Sequence, residues 1–159
     1  MPSYSGRLRP VGRVAILASR YNEMVTARLV EGARDCCREA GLSEADVDLI
    51  WVPGAFELGA AASAAAQSGR YACIVALGAV IRGDTAHFEF VAGEAARGLS
   101  EVAVRHALPV AFGVLTTDTL EQAMARAGGA AGNKGHEAAQ AAITLADVLA
   151  RLRSGDAES

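Results

Sequence analysis

Long apolar runs are missing from this sequence. The longest uncharged apolar stretch, Tyr71 to Ile81, falls far short of the roughly 20 residues that a membrane helix needs, so no membrane partner is expected. A secretory core is not visible either: Arg7, Arg9 and Arg13 are followed only by the short run Val14 to Ala18. Cysteine is scarce. Three residues, an odd number, argue against a disulfide framework, and Cys36, Cys37 and Cys73 sit in apolar patterns that suit reduced thiols and a cytoplasmic address. An excess of positive charge is also lacking. Fifteen Lys and Arg stand against eighteen Asp and Glu, a net charge of −3, with pI near 5.6, so the basic face of a nucleic-acid protein is not expected.

Several catalytic fingerprints are absent as well. There is no GxxxxGK[ST] and no GxGxxG, which removes the usual nucleotide loops, and no GxSxG nucleophile elbow. No His, Cys or acidic pair has metal-ligand spacing, so no metal is expected. What is abundant is apolar residue: 52% of 159 residues, against 21% charged, with mean hydropathy +0.22. For a chain of one-domain length this implies that part of the surface is covered in an oligomer.

β-branched and apolar runs at Arg13–Ser19, Val47–Val52, Ala72–Val80 and Val110–Leu115 suit parallel strands covered on both faces. Helical patterns lie between them. Val25, Leu29, Ala33, Cys36 and Ala40 recur at helical spacing and stop at Gly41; Ala55 to Ser68 is alanine-rich and ends at Gly69. Phe88, Val91, Ala92, Ala95, Leu99, Val102 and Ala103 mark a third helix, Thr119 to Ala127 a short fourth, and Ala142, Leu145, Ala146, Leu149 and Leu152 a long last one. This alternation predicts an α/β fold: a flavodoxin-like, three-layer, doubly wound sandwich with a four-stranded parallel sheet and helices on both faces. Residues 1–12 read as a flexible N-terminal arm, 13–153 as a single domain and 154–159 as a frayed tail.

In such sheets ligands bind beyond the carboxyl ends of the strands, so the segments after each strand carry the interest. After the first comes Ser-Arg-Tyr-Asn. Tyr21 either stacks on a flat ring or packs on the domain edge while Asn22 caps the helix. After the second comes Val-Pro-Gly-Ala-Phe-Glu, a turn followed by Glu57 in a first helical turn. That carboxylate either complements the helix dipole or accepts hydrogen bonds from a polyol. The third strand runs into "LGAVIRGDTAHFEFV", Leu77 to Val91. Gly83 permits close approach, Asp84 or Thr85 is placed at the helix N-cap, and His87 in the first turn is able to move protons; the plainer alternative is a capping sequence with a surface histidine. After the fourth strand, "TTDTLEQA" is a capped helix start. Arg126 then precedes "AGGAAGNKGHE", where Gly128, Gly129, Gly132 and Gly135 break two helices. Lys134, at a helix start, is either paired with an anion or simply solvated.

Taken together and in this order, "SRYN", "VPGAFELG", "LGAVIRGDTAHFEFV" and "AGNKGHEAA" closely resemble the 6,7-dimethyl-8-ribityllumazine synthase family over about residues 12 to 152. The resemblance implies an enzyme of riboflavin synthesis, a transferase that works without a cofactor. It condenses 5-amino-6-(D-ribitylamino)uracil with 3,4-dihydroxy-2-butanone 4-phosphate. It implies that Tyr21 stacks on the pyrimidine with Asn22 beside it, and that Ala55, Phe56 and Glu57 hold the ribityl chain. Ala79, Val80 and Ile81 line the pyrimidine, Asp84 and Thr85 bind the phosphate, and His87 donates and accepts protons. Phe112, Arg126 and Lys134 match groups supplied by the neighbouring subunit, Arg126 pairing with phosphate. Tyr21 departs from the family's more common phenylalanine or tryptophan. The expected partners are therefore small-molecule substrates, further copies of the chain in a homopentamer with shared sites, and a riboflavin synthase. The compact linker from Arg126 to Lys134 points to the icosahedral 60-subunit shell, because members that stop at the pentamer often carry extra residues there. A non-catalytic flavin-binding relative, or a shell protein with a vestigial pocket, is the alternative; the presence of both His87 and Arg126 counts against it.

Overall fold

A computed structural model describes residues 1–158. Four strands, β1 (Val14–Ser19), β2 (Val47–Val52), β3 (Cys73–Ile81) and β4 (Val110–Thr117), form one parallel sheet in the order β2-β1-β3-β4. The chain winds outward from β1 to β2, then crosses to the other side for β3. The switch in direction thus lies between β1 and β3, where such sheets open a crevice at their carboxyl ends.

The strand side chains alternate between two packed layers, as the period of two requires. Val14, Ile16, Ala18, Val75 and Leu77 face α1 (Glu23–Glu39) and α5 (Lys134–Ser154). Ala15, Leu17, Ile74, Ala76 and Val114 face α2 (Leu58–Gln67) and α3 (His87–His106). Nearly every residue of β1 and β3 is buried, which explains their unbroken apolar runs: with helices on both faces neither side needs polar residues. The three-layer α/β sandwich expected from the alternation is therefore the observed architecture.

Some elements differ from the sequence expectation. The alanine-rich helix opens with a 3-10 turn, Ala55–Glu57, before α2 begins. The glycine-rich segment after α4 (Leu120–Ala125) does not simply break helices: it forms a two-stranded hairpin, β5 (Ala127–Gly129) and β6 (Gly132–Asn133), with Gly128 and Gly132 at positive φ. Gly135 lies inside α5, where a Cβ would stand 2.0 Å from the Leu29 carbonyl oxygen, so this glycine lets α5 seat against the backbone of α1. In α5 the buried face is Ala139, Ala142, Ile143 and Ala146, whereas Leu145 and Leu152 are exposed; of the pattern read from the sequence, Ala142 and Ala146 point inward and these two leucines do not.

The arm and the tail meet. Glu158 N–H donates to the Ser3 carbonyl at 2.7 Å and Ser5 Oγ to Glu158 Oε1 at 2.6 Å. Further along the arm, Asp147 of α5 is fully buried and accepts from Arg7 N–H at 2.8 Å, Arg9 Nε at 2.6 Å and Arg151 Nε at 3.2 Å.

Candidate functional site

The carboxyl ends of β1, β2 and β3 are tied together by hydrogen bonds that continue past the strands. Arg20 N–H donates to Val52 O at 2.8 Å and Tyr21 N–H to Pro53 O at 2.9 Å, carrying the β1–β2 pairing two residues further. The chain then reverses at Asn22, which takes the left-handed conformation with φ 62°. Its backbone carbonyl accepts from Val25 and Thr26 to start α1. Its side chain does not cap that helix, as the sequence had suggested. The amide instead donates from Nδ2 to the Ala79 carbonyl at 2.9 Å, binding the β1 end to the β3 end. Asparagine tolerates this conformation better than most residues, and here it supplies the bridge as well.

These ties surround a cleft of about 710 Å³, within the range of small-molecule sites. Tyr21 and Asn22 come from the β1 end, Pro53 to Glu57 from the β2 end and Ala79 to Ile81 from the β3 end; Gly83, Thr85, His87, Phe88 and Val91 close it from the loop and α3. Flat apolar walls are thus set against a few polar groups. Tyr21 is 75% exposed and Phe56 58%, open faces on which a planar ring can lie. The Glu57 carboxylate folds back near Gly54, where a built Cβ would meet Oε2 at 3.3 Å. Among the described residues, neither the Glu57 carboxylate nor the His87 ring has a hydrogen-bond partner, so both are free to bind a ligand.

The structure thus brings together Tyr21, Asn22, Ala55, Phe56, Glu57, Ala79, Val80, Ile81, Thr85 and His87. It does not bring Asp84, Phe112, Arg126 or Lys134 to that lining. Asp84 is exposed on the same loop, and the N-cap of α3 is Ala86, not Asp84 or Thr85; Thr85 Oγ1 instead accepts from His87 N–H at 3.4 Å. Phe112 is 40% exposed on the edge strand β4. Arg126, held by its own Nη1–H to Gln122 O at 3.0 Å, lines a second hollow with Arg82, Phe88, Thr116, Thr117, Asp118 and Gln122. Lys134 lies 3.9 Å from Glu137. Asn133 caps α5 beside it, accepting from Gly135 N–H at 2.8 Å and His136 N–H at 3.1 Å. Among the described residues, the only charged side chain of the cleft lining itself, histidine aside, is Glu57, and none of them brings an arginine or lysine to that lining.

Sequence reasoning missed Pro53, Gly54, Phe88 and Val91 as lining residues. Phe88 and Val91 fell on the apolar face of α3 and so read as core. The sequence also gave no sign that Cys36, Glu39 and His136, from α1 and α5, come within 4.8 Å of one another. A His136 Nε2–Glu39 contact of 2.9 Å accounts for two of them. Cys36 is buried, and burial pushes its thiol up to about 12.

No helix among the described residues is long and apolar enough to cross a membrane. The family model described as 6,7-dimethyl-8-ribityllumazine synthase matches residues 12–150. A protein of Edwardsiella ictaluri (strain 93-146) named 6,7-dimethyl-8-ribityllumazine synthase is 53% identical over 146 residues, covering 91% of this chain and 94% of the relative. With nearly the whole length of both chains matched, this chain belongs to the 6,7-dimethyl-8-ribityllumazine synthase family.

Proposed function

We propose that this chain is the transferase of riboflavin biosynthesis that its family name denotes. It condenses 5-amino-6-(D-ribitylamino)uracil with 3,4-dihydroxy-2-butanone 4-phosphate to 6,7-dimethyl-8-(D-ribityl)lumazine. The observation that carries the reading is the convergence of two open aromatic faces, an unpartnered carboxylate and an unpartnered imidazole in one cleft at the strand ends. The pyrimidine lies against Tyr21 and Phe56, over Ala79, Val80 and Ile81, and the Glu57 carboxylate accepts from ribityl hydroxyls. The butanone phosphate enters beside Gly83, Asp84 and Thr85.

The amine of the pyrimidine attacks the ketone, and loss of water leaves an imine. Phosphate is then eliminated, and the second amine closes the ring with loss of a second water. Each step moves a proton, and His87 is the group placed to take and return it. Holding two reactants in one cleft supplies much of the rate without further chemistry from the protein.

The leaving phosphate needs positive charge that the cleft lining lacks. Phe112, Arg126 and Lys134 reach it from an adjacent copy of the chain, so the active form is a pentamer with sites between subunits, and twelve pentamers make the shell. The exposed Met24, Phe90, Val104, Leu145 and Leu152 supply apolar surface for such contacts. Three unpaired buried thiols suit a reducing compartment, the cytoplasm. A riboflavin synthase is the partner that consumes the product. Mixing purified protein with both substrates tests the reading: lumazine absorbance and inorganic phosphate appear together. Neither product at any protein concentration would overturn it.

A further inference from the structure

The loop from Gly83 to Ala86 joins β3 to α3, and all four of its residues are exposed. Little packs against it; a Cβ built on Gly83 finds nothing within 4 Å. Yet Gly83 and Thr85 line the cleft and His87 follows at once, so whatever fixes this loop also fixes the group that moves protons. The two ends of the loop are held by one residue. The Arg82 N–H donates to the Thr117 carbonyl at 2.8 Å, anchoring the near end to β4. Its side chain then crosses to the far end. The guanidinium lies 4.3 Å over the Phe88 ring, one N–H group donates to Glu89, and Nε donates to Asp118 Oδ1 at 2.8 Å.

We propose that Arg82 is a positioning residue, a clasp that closes the Gly83–Ala86 loop and holds Thr85 and His87 against the phosphate-bearing substrate. This rests on the reading of the cleft given above. The arrangement needs arginine in particular. A planar fork can stack on Phe88 while donating in two directions, whereas a lysine ammonium is a point charge that does not stack in the same way. The side chain is 46% exposed, and ion pairs at that exposure contribute little to folding. The clasp therefore acts on the geometry of the loop and not on global stability. The pyrimidine-binding residues Tyr21, Phe56 and Ala79 to Ile81 hang on other ties, namely Asn22 and the strand ends, and do not depend on Arg82.

The test compares Arg82→Met, Arg82→Lys, Glu89→Gln and Asp118→Asn with wild type, varying each substrate in turn. Pyrimidine binding by direct titration and Tm are measured alongside. Arg82→Met is expected to lower kcat/KM for the butanone phosphate by about tenfold or more, as small misplacements of a reacting group do, with pyrimidine affinity and Tm unchanged. Glu89→Gln and Asp118→Asn each give a smaller loss, and neither adds to the loss in an Arg82→Met background, because the clasp acts as a unit. Arg82→Lys restores only part. Wild-type kinetics in Arg82→Met, or a fall in Tm with equal loss toward both substrates, would overturn the clasp while leaving the reaction assigned to the cleft intact. A wild-type protein that forms no lumazine would overturn both.

Discussion

Asn22 carries two burdens at once, and replacing it separates them. Its φ of 62° costs a residue with a Cβ about 1–2 kcal/mol, less for asparagine and nothing comparable for glycine. Its Nδ2–H to the Ala79 carbonyl is worth about 1 kcal/mol net, and its loss leaves the oxygen of a residue that is 2% exposed without this partner. Asn22→Gly removes the hydrogen bond alone and should cost about 1 kcal/mol. Asn22→Ala removes the bond and adds the strain, so it should cost about 2–3 kcal/mol. Asn22→Asp sets a carboxylate against a carbonyl oxygen and should cost at least as much as alanine. Equilibrium urea unfolding of the four proteins gives the ranking directly. Because Asn22 ties the β1 end to the β3 end beside Tyr21, pyrimidine affinity should weaken in the same order. An alanine variant as stable as the glycine variant would refute the argument from backbone conformation, and an aspartate variant as stable as wild type would refute the bridge to Ala79.

Gly135, Asp147 and the three cysteines test the packing. Gly135→Ala places a Cβ where the Leu29 carbonyl stands 2.0 Å away; it should destabilise by about 1–3 kcal/mol as α5 is pushed from α1, read as a fall in Tm. Burial raises the Asp147 carboxyl, but hydrogen bonds from Arg7 N–H, Arg9 and Arg151 outweigh it and hold the group below the usual carboxylate range. A depressed native value means that the stabilisation is present above the unfolded value of about 3.9 and is lost as pH falls through the native one. Asp147→Asn should thus be less stable than wild type at neutral pH, with the gap closing under strong acid in pH-dependent unfolding. Burial pushes Cys36, Cys37 and Cys73 up to about 12, 11 and 12, so a thiol reagent at mildly alkaline pH should label none of them in the folded protein and all three in denaturant.

The sheet was legible because β1 and β3 are buried on both faces, and only a continuous apolar run satisfies that environment. The capped start of α4 was legible too: Thr119 Oγ1 accepts from Gln122 N–H at 3.1 Å while Gln122 Oε1 accepts from Thr119 N–H at 3.3 Å, a local capping pattern that needs no tertiary information. What escaped depends on partners distant in sequence. Asn22 sits where an N-cap belongs, and nothing local says that its amide will reach Ala79. Gly135 looks like a helix breaker until the backbone of α1 is beside it. Arg82 had no role in the sequence because Asp118, one of its partners, lies 36 residues further along the chain. The rule of where parallel sheets bind ligands drew attention to Tyr21, Asn22, Glu57 and His87; Ala79, Val80 and Ile81 came only from the family resemblance, and Phe88 and Val91 were hidden by being apolar on an amphipathic helix.

The most direct test of the central claim, that the cleft at the ends of β1, β2 and β3 is where the condensation occurs, is the turnover of His87→Ala beside its pyrimidine affinity. The account predicts a fall in kcat of about 10²-fold or more with pyrimidine binding unchanged, since it assigns the ring to Tyr21, Phe56 and Ala79 to Ile81 and not to His87. An unchanged rate of lumazine formation would contradict it.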